Sequence, residues 1–83
     1  MKLRPHPADP AGLTWAARFR QAWIADMLHI YGFINRDHLI RKFGVSVPQA
    51  SLDLRLFRRL NPGAMVYDTT TKRYVRRRSH ERV

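Results

Sequence analysis

A mainly α domain of three helices followed by a small β-hairpin is the fold class this 83-residue sequence predicts. Three observations point to it. Apolar residues recur at steps of three and four in three successive segments, the period of a helix buried along one side. Glycines and cap-type residues (Gly32, Asn35, Gly44, Ser46) punctuate those segments where helices stop and start. Beyond Asn61-Pro62-Gly63 the pattern changes to short runs of β-favouring residues.

Residues 1–12 hold Pro5, Pro7, Pro10 and Gly12 and predict an irregular arm. Thr14 can cap the first helix by accepting from an early free N–H. That helix presents Ala16, Phe19, Trp23, Met27 and Ile30, with Ile24, Leu28 and Tyr31 beside them, and Gly32 ends it. Phe33-Ile34 is a short apolar link or a two-residue strand. Asn35 then caps a second helix, Arg36 to Phe43, whose inward face is Leu39, Ile40 and Phe43. Gly44 ends it. Ser46 and Gln49 have the spacing of a capping box, in which the serine accepts from the Gln49 N–H and the Gln49 side chain reaches back to the Ser46 N–H. Pro48 fits the first turn, where backbone N–H groups lack helical partners. The third helix therefore runs from about Val47 to Leu60. Ala64–Tyr67 and Arg73–Val75 predict a hairpin with the polar tip Asp68–Lys72. Residues 76–83 predict a basic, flexible tail.

Two helices joined by a Gly-containing turn form a helix-turn-helix, and a basic hairpin after the second makes it winged. The domain then spans 13–75, and its third helix is the one to enter a DNA major groove. With Ala50 at the centre of the inward face, Leu54 and Phe57 lie beside it and Val47 nearby. The outward face holds Pro48, Leu52, Arg55 and Arg59, flanked by Gln49, Ser51 and Leu56. Gln49 either meets an adenine edge or serves the capping box. Arg55 suits guanine or a phosphate, and Ser51 either base or backbone. Leu52 either meets thymine methyl groups or joins Leu56 and Leu60 in a second apolar ridge. Arg58 and Arg59 suit phosphates, as does Arg36 at the start of the second helix unless it is simply solvated. At the wing tip, Thr70, Lys72 and Arg73 can reach the backbone or a minor groove. Trp15, Phe19 and Trp23 have the helical spacing of core or dimer packing rather than of a base-stacking platform.

The charge agrees with a polyanionic partner. The formal net charge is +10. Through Leu54 there are seven Lys+Arg against four Asp; from Arg55 onward there are nine against Asp68 and Glu81. Like charges at this excess repel one another, so a partner that neutralises them is expected. The chain has no cysteine, which removes disulfides and thiolate metal sites. Its four histidines are scattered, it has no Gly-rich phosphate loop, and none of its serines has a triad's partners in view. No enzyme, cofactor, metal or small-molecule ligand is expected within this chain. No apolar run approaches the roughly 20 residues that cross a bilayer, and the N-terminus does not read as a signal peptide. A cytoplasmic, nucleoid-associated protein is therefore expected.

The segment GFINRDHLIRKFGVSVPQASLDLRLFRRLNPGAMVYDTTTKRYV, Gly32 to Val75, resembles the N-terminal winged helix-turn-helix of WYL-domain transcriptional regulators. It is similar to the BrxR/CapW type of defence-island repressors, which control phage-defence operons. Asn35-Arg36, Phe43-Gly44-Val45-Ser46, Ser46 to Ser51, and Val66-Tyr67-Asp68 with Lys72 and Tyr74-Val75 carry the likeness, and with the preceding helix it covers about 60 residues. The resemblance implies a homodimeric repressor on a palindromic or inverted-repeat operator, with Ser46–Ser51 opening the recognition helix. Such regulators continue into a ligand-sensing WYL domain, so this sequence is either an excised DNA reader or a short autonomous one. The competing reading is a small interaction module or antagonist that uses the same fold to dock on an acidic protein or a related regulator, with RNA binding as a third.

Overall fold

The computed structural model describes residues 13–77. The arm 1–12 and the tail from residue 78 lie outside the described residues. Helix α1 spans Trp15–Tyr31 and begins where Thr14 Oγ1 accepts from the Ala17 N–H at 3.1 Å. It ends at Gly32, whose φ of 85° is left-handed and whose N–H donates back to Leu28 O and Met27 O. Strand β1 is Phe33–Ile34, and α2 is Arg36–Phe43. The capping box is here: the Asn35 side chain accepts from the His38 N–H at 3.2 Å, while His38 Nδ1 accepts from the Asn35 N–H at 3.1 Å. Gly44 closes α2 at φ 70°, and its N–H reaches Ile40 O.

Helix α3, Val47–Leu60, starts on Ser46, whose hydroxyl accepts from the Gln49 N–H at 3.2 Å. Only half of the expected Ser46–Gln49 box forms. The Gln49 amide nitrogen instead donates to Asp53 Oδ1 at 2.9 Å, a charge-assisted bond that draws the side chain away from the Ser46 N–H. Strands β2, Met65–Asp68, and β3, Arg73–Arg76, form the hairpin, and β1 joins β3 to make an antiparallel sheet in the order β1-β3-β2. The two-residue link is thus a true strand, with Phe33 opposite Val75 and Ile34 opposite Tyr74.

The strand also runs further than expected. Arg76 pairs with Met65, its N–H donates to Gly32 O at 2.9 Å, and its guanidinium donates to His29 O at 3.1 Å. The first residue assigned to the tail is thereby docked on the C-terminus of α1, where a cation meets unpaired helix carbonyls. Arg77 follows with an N–H to Ala64 O.

The core draws on every layer: Ile24 and Leu28 from α1, Ile34 from β1, Leu39 from α2, Ala50, Leu54 and Phe57 from α3, and Met65 from β2. The α3 phase matches the expectation except that Val47 is half exposed. The α1 phase does not. Ile24 and Leu28 are its buried residues, Trp23 and Met27 flank them, and Ala16, Phe19 and Ile30 are exposed. Trp23 meets Phe43 edge-on at 5.4 Å between ring centroids, which holds it at the α1–α2 seam and turns Ile24 and Leu28 to the centre. These contacts fasten α3 and the hairpin to one scaffold, leaving the outer face of α3 and the hairpin tip uncovered.

Candidate nucleic-acid interface

The inward set of α3 decides what the helix shows outside. With Ala50, Leu54 and Phe57 buried, Pro48, Leu52, Arg55 and Arg59 are exposed on the outer face, as the helical period requires, and Ser51 is half exposed beside them. Ser46 is exposed at the cap. Gln49 is half-buried because its amide is drawn toward Asp53.

A cleft of about 490 Å³ opens between three elements. The start of α2 supplies Asn35, Arg36 and Asp37; α3 supplies Ser51, Arg55 and Arg58; the hairpin supplies Tyr67, Lys72 and Tyr74. Four cations and a single carboxylate line it, so its field is positive. Tyr67 and Tyr74 are cross-strand partners whose rings meet edge-on at 4.9 Å. The Arg58 guanidinium lies 5.8 Å from the centre of the Tyr74 ring, a cation–π contact that steers it into the cleft. A second concavity of about 450 Å³ continues the basic surface, with Arg55, Arg58 and Arg59 on one side and Arg77 on the other.

The hairpin tip is organised by Asp68. Its carboxylate accepts from the Thr70 N–H at 3.0 Å and the Thr71 hydroxyl at 2.9 Å. The Thr71 hydroxyl first, then the Thr70 N–H, holds the Asp68 carboxyl below its ordinary value of 3.8. Lys72 closes the turn at φ 57°, with its N–H on Asp68 O at 2.7 Å. Thr70 and Lys72 are therefore at the tip, as expected. Arg73 is not. It belongs to β3 opposite Asp68, and its guanidinium lies 3.9 Å from the centre of the Phe33 ring, half-buried on the sheet. The physical reason is the strand register: β3 begins at Arg73, and the aromatic ring of β1 offers its side chain a π face there.

The aromatic residues of α1 lie at the other end of α2. Trp15 stacks on Phe19 at 5.3 Å, and Phe19 meets Phe43 edge-on at 6.3 Å. Trp15 and Phe19 are 69% and 56% exposed, whereas Trp23 is partly buried beneath Lys42. The three residues thus divide: Trp23 belongs to the helix–helix seam, and Trp15 with Phe19 forms an open apolar patch.

Sequence reasoning left Tyr67, Tyr74 and the buried Asp53 out of the site and gave Arg58 no place distinct from Arg59. Two signals were available. Arg55 and Arg58 are three apart on one helix face, and Asp53 falls on the same inward side as Ala50, Leu54 and Phe57, where a carboxylate must find a partner. Among the described residues no group of His, Cys, Asp or Glu could hold a metal ion, and no helix is long and apolar enough to cross a membrane.

Comparison with known proteins agrees with the winged helix-turn-helix fold. The model of the BrxR transcriptional regulator winged helix-turn-helix domain matches residues 17–82. A DNA-binding transcriptional repressor CapW from Escherichia coli (strain KTE188) is 41% identical over 63 residues, covering 76% of this chain and 21% of the relative. CapW from Pseudomonas aeruginosa is 38% identical over 71 residues, or 86% of this chain and 24% of the relative. CapW from Stenotrophomonas maltophilia is 39% identical over 63 residues, with 76% and 21% covered. The chain thus spans between a fifth and a quarter of the length of these curated relatives.

Proposed function

Because the chain belongs to the BrxR winged helix-turn-helix family, we propose that it reads double-stranded DNA for a transcriptional repressor, as a homodimer on an inverted-repeat operator. The observation that carries this reading is the four-cation cleft between α3 and the hairpin. A duplex that takes α3 into its major groove and the hairpin tip into the adjacent minor groove must pass one sugar–phosphate strand between them. That strand crosses the cleft. Arg36, Arg58 and Lys72 then neutralise phosphates there, while Arg59 extends the backbone contact. Pro48, Gln49, Ser51, Leu52 and Arg55 face base edges, with Ser46 at the groove-entering end of the helix.

Two chains pair through the exposed Trp15–Phe19 patch of α1, supported by Trp23, so that two α3 helices meet half-sites of an inverted repeat. The relatives are repressors by name, and control of a phage-defence operon from the bacterial cytoplasm is carried over from the BrxR/CapW resemblance. No cofactor or small-molecule ligand is assigned to this chain.

Selection of bound duplexes from a random pool, followed by mobility-shift titration, tests the reading. The expected result is an inverted repeat bound with at least a thousandfold preference over scrambled duplex at physiological salt. Equal affinity for both would sink sequence-specific binding. Sedimentation that gives the mass of one chain, free and on the selected duplex, would sink the homodimer.

A further inference from the structure

Asp53 is the buried charged side chain among the described residues, 3% exposed, and it sits on α3. Its carboxylate receives three hydrogen bonds. Arg20 Nε donates to Oδ2 at 2.7 Å and Arg20 Nη2 to Oδ1 at 3.2 Å, while Gln49 Nε2 donates to Oδ1 at 2.9 Å. Its backbone carbonyl accepts from Gln21 Nε2 at 2.9 Å. Two successive residues of α1 and one residue a turn earlier on α3 therefore grip a single point of the helix.

Stability alone does not account for such a network, because apolar residues of similar volume commonly serve a core as well as a buried ion pair does. What a directional network adds is orientation. A carboxylate can only accept, so it draws in the nitrogen end of the Gln49 amide and leaves the carbonyl oxygen as the outward end. We propose that Asp53, held by Arg20, is a positioning residue for base readout: it presents Gln49 Oε1 to the major groove as an acceptor for an exocyclic amino group. Adenine is the preferred base, since its N6 donates to Oε1 and its N7 can take the amide's second N–H; cytosine, through N4, comes next. Guanine and thymine offer acceptors at the corresponding edge and are disfavoured. This inference rests on the proposed placement of α3 in the major groove.

Asp53→Asn is the sharpest test. The shorter bond from Arg20 Nε keeps the new amide's oxygen, so its nitrogen faces Gln49. The Gln49 amide must then flip and offer its N–H groups to the groove. The experiment compares wild type, Asp53→Asn and Gln49→Ala on the wild-type-selected duplex and on duplexes carrying each other base at the position Gln49 reads. Wild type is expected to favour adenine over guanine about tenfold or more. Gln49→Ala loses that preference, and Asp53→Asn loses or reverses it in favour of guanine or thymine, with the salt slope of binding unchanged in both. An adenine replaced by unsubstituted purine, which lacks the amino group, should bind wild type as poorly as guanine does and should make no difference to Gln49→Ala.

Should Asp53→Asn fail to fold, Arg20→Met with Asp53→Leu removes the network at similar volume and is expected to abolish the preference. Retention of the adenine preference in every folded Asp53 variant overturns the proposal, as does a wild-type preference for guanine or thymine at that position. If wild type selects no duplex at all, it is the DNA-reading function that has failed; if it selects one whose preferences Gln49→Ala leaves intact, only the positioning role has.

Discussion

Lys72 offers a perturbation in which stability and DNA binding should move in opposite directions. Its φ of 57° makes it the non-glycine residue with positive φ among the described residues. An L-residue in that region carries a strain of about 1–2 kcal/mol, which glycine escapes. Glycine in turn adds unfolded-state entropy that costs about 0.4–1 kcal/mol. Lys72→Gly should therefore lie between neutral and about 1.5 kcal/mol more stable than wild type. In a domain this small, 1 kcal/mol moves Tm by roughly 4–8 °C. The same substitution removes a cation from the cleft, and each lost phosphate contact flattens the slope of log K against log salt by about 0.9 per bound chain. Lys72→Ala separates the two effects, since it loses the charge and keeps the strained backbone. Circular dichroism melts and anisotropy titrations at several salt concentrations measure both. Lys72→Gly should melt above Lys72→Ala, and the two should share one flattened salt slope. A glycine variant that melts below the alanine variant, or a slope equal to wild type, would refute the reasoning.

Three further outcomes follow from the same geometry. Leu54 is 1% exposed and Leu52 51% exposed on one helix; Leu54→Ala should lower urea-unfolding stability by about 2–5 kcal/mol and Leu52→Ala by less than about 0.5 kcal/mol, so comparable losses would mean the helix is rotated. Gly44 has φ 70° and open space where a Cβ would stand; Gly44→Ala should cost about 1–2 kcal/mol from backbone strain alone, read as a lower Tm with an unchanged helical spectrum. The folded Asp68 pKa lies below 3.8, so its contribution to the hairpin tip is complete above that value and is lost as pH falls through the lower, folded one. The Thr70 and Thr71 amide resonances should accordingly stay constant from neutral pH down to about pH 5 and move only in stronger acid; movement between pH 5 and 8 would count against that assignment.

What the sequence disclosed depended on how local the deciding contact is. Caps are local, so the starts at Thr14, Asn35 and Ser46 and the stops at Gly32 and Gly44 were all legible. The phase of α3 was legible too, because Ala50, Leu54 and Phe57 share one face while Arg55 and Arg59 keep the opposite one from burial. Helix α1 carries apolar residues around most of its circumference, and the packing of Trp23 against Phe43, twenty positions later, chose among its faces. The same holds for the cleft. It exists because the register sets Tyr67 beside Tyr74 and the Tyr74 ring draws in Arg58. That register follows from a left-handed Lys72, for which no Asn-Gly or Asp-Gly gave notice. Gln49 was misread in half of its role for a related reason. Its spacing from Ser46 suits a capping box, in which its oxygen would accept from the Ser46 N–H, but a carboxylate one turn further on, Asp53, takes its amide nitrogen instead.

The net charge of +10 and the capacity to tell one duplex from another reside in different groups. The cleft cations meet phosphates that every duplex carries, and binding through them weakens with salt whatever the base sequence. Discrimination needs side chains held in one orientation, because a flexible donor–acceptor such as glutamine can turn to suit any base edge. The described residues show that restraint at the neutral end of α3. Gln49 is tied to Asp53, and Asp53 is tied in turn to Arg20 on α1. Arg20 is thus a basic residue whose charge is spent inside the protein, 15% exposed against a carboxylate, rather than offered to DNA. Arg20 and Asp53 cancel within the net charge of +10, so that balance carries no trace of the pair or of what it does. Removing an outer cation should change affinity and salt dependence together, while removing Arg20 or Asp53 should change the base preferred.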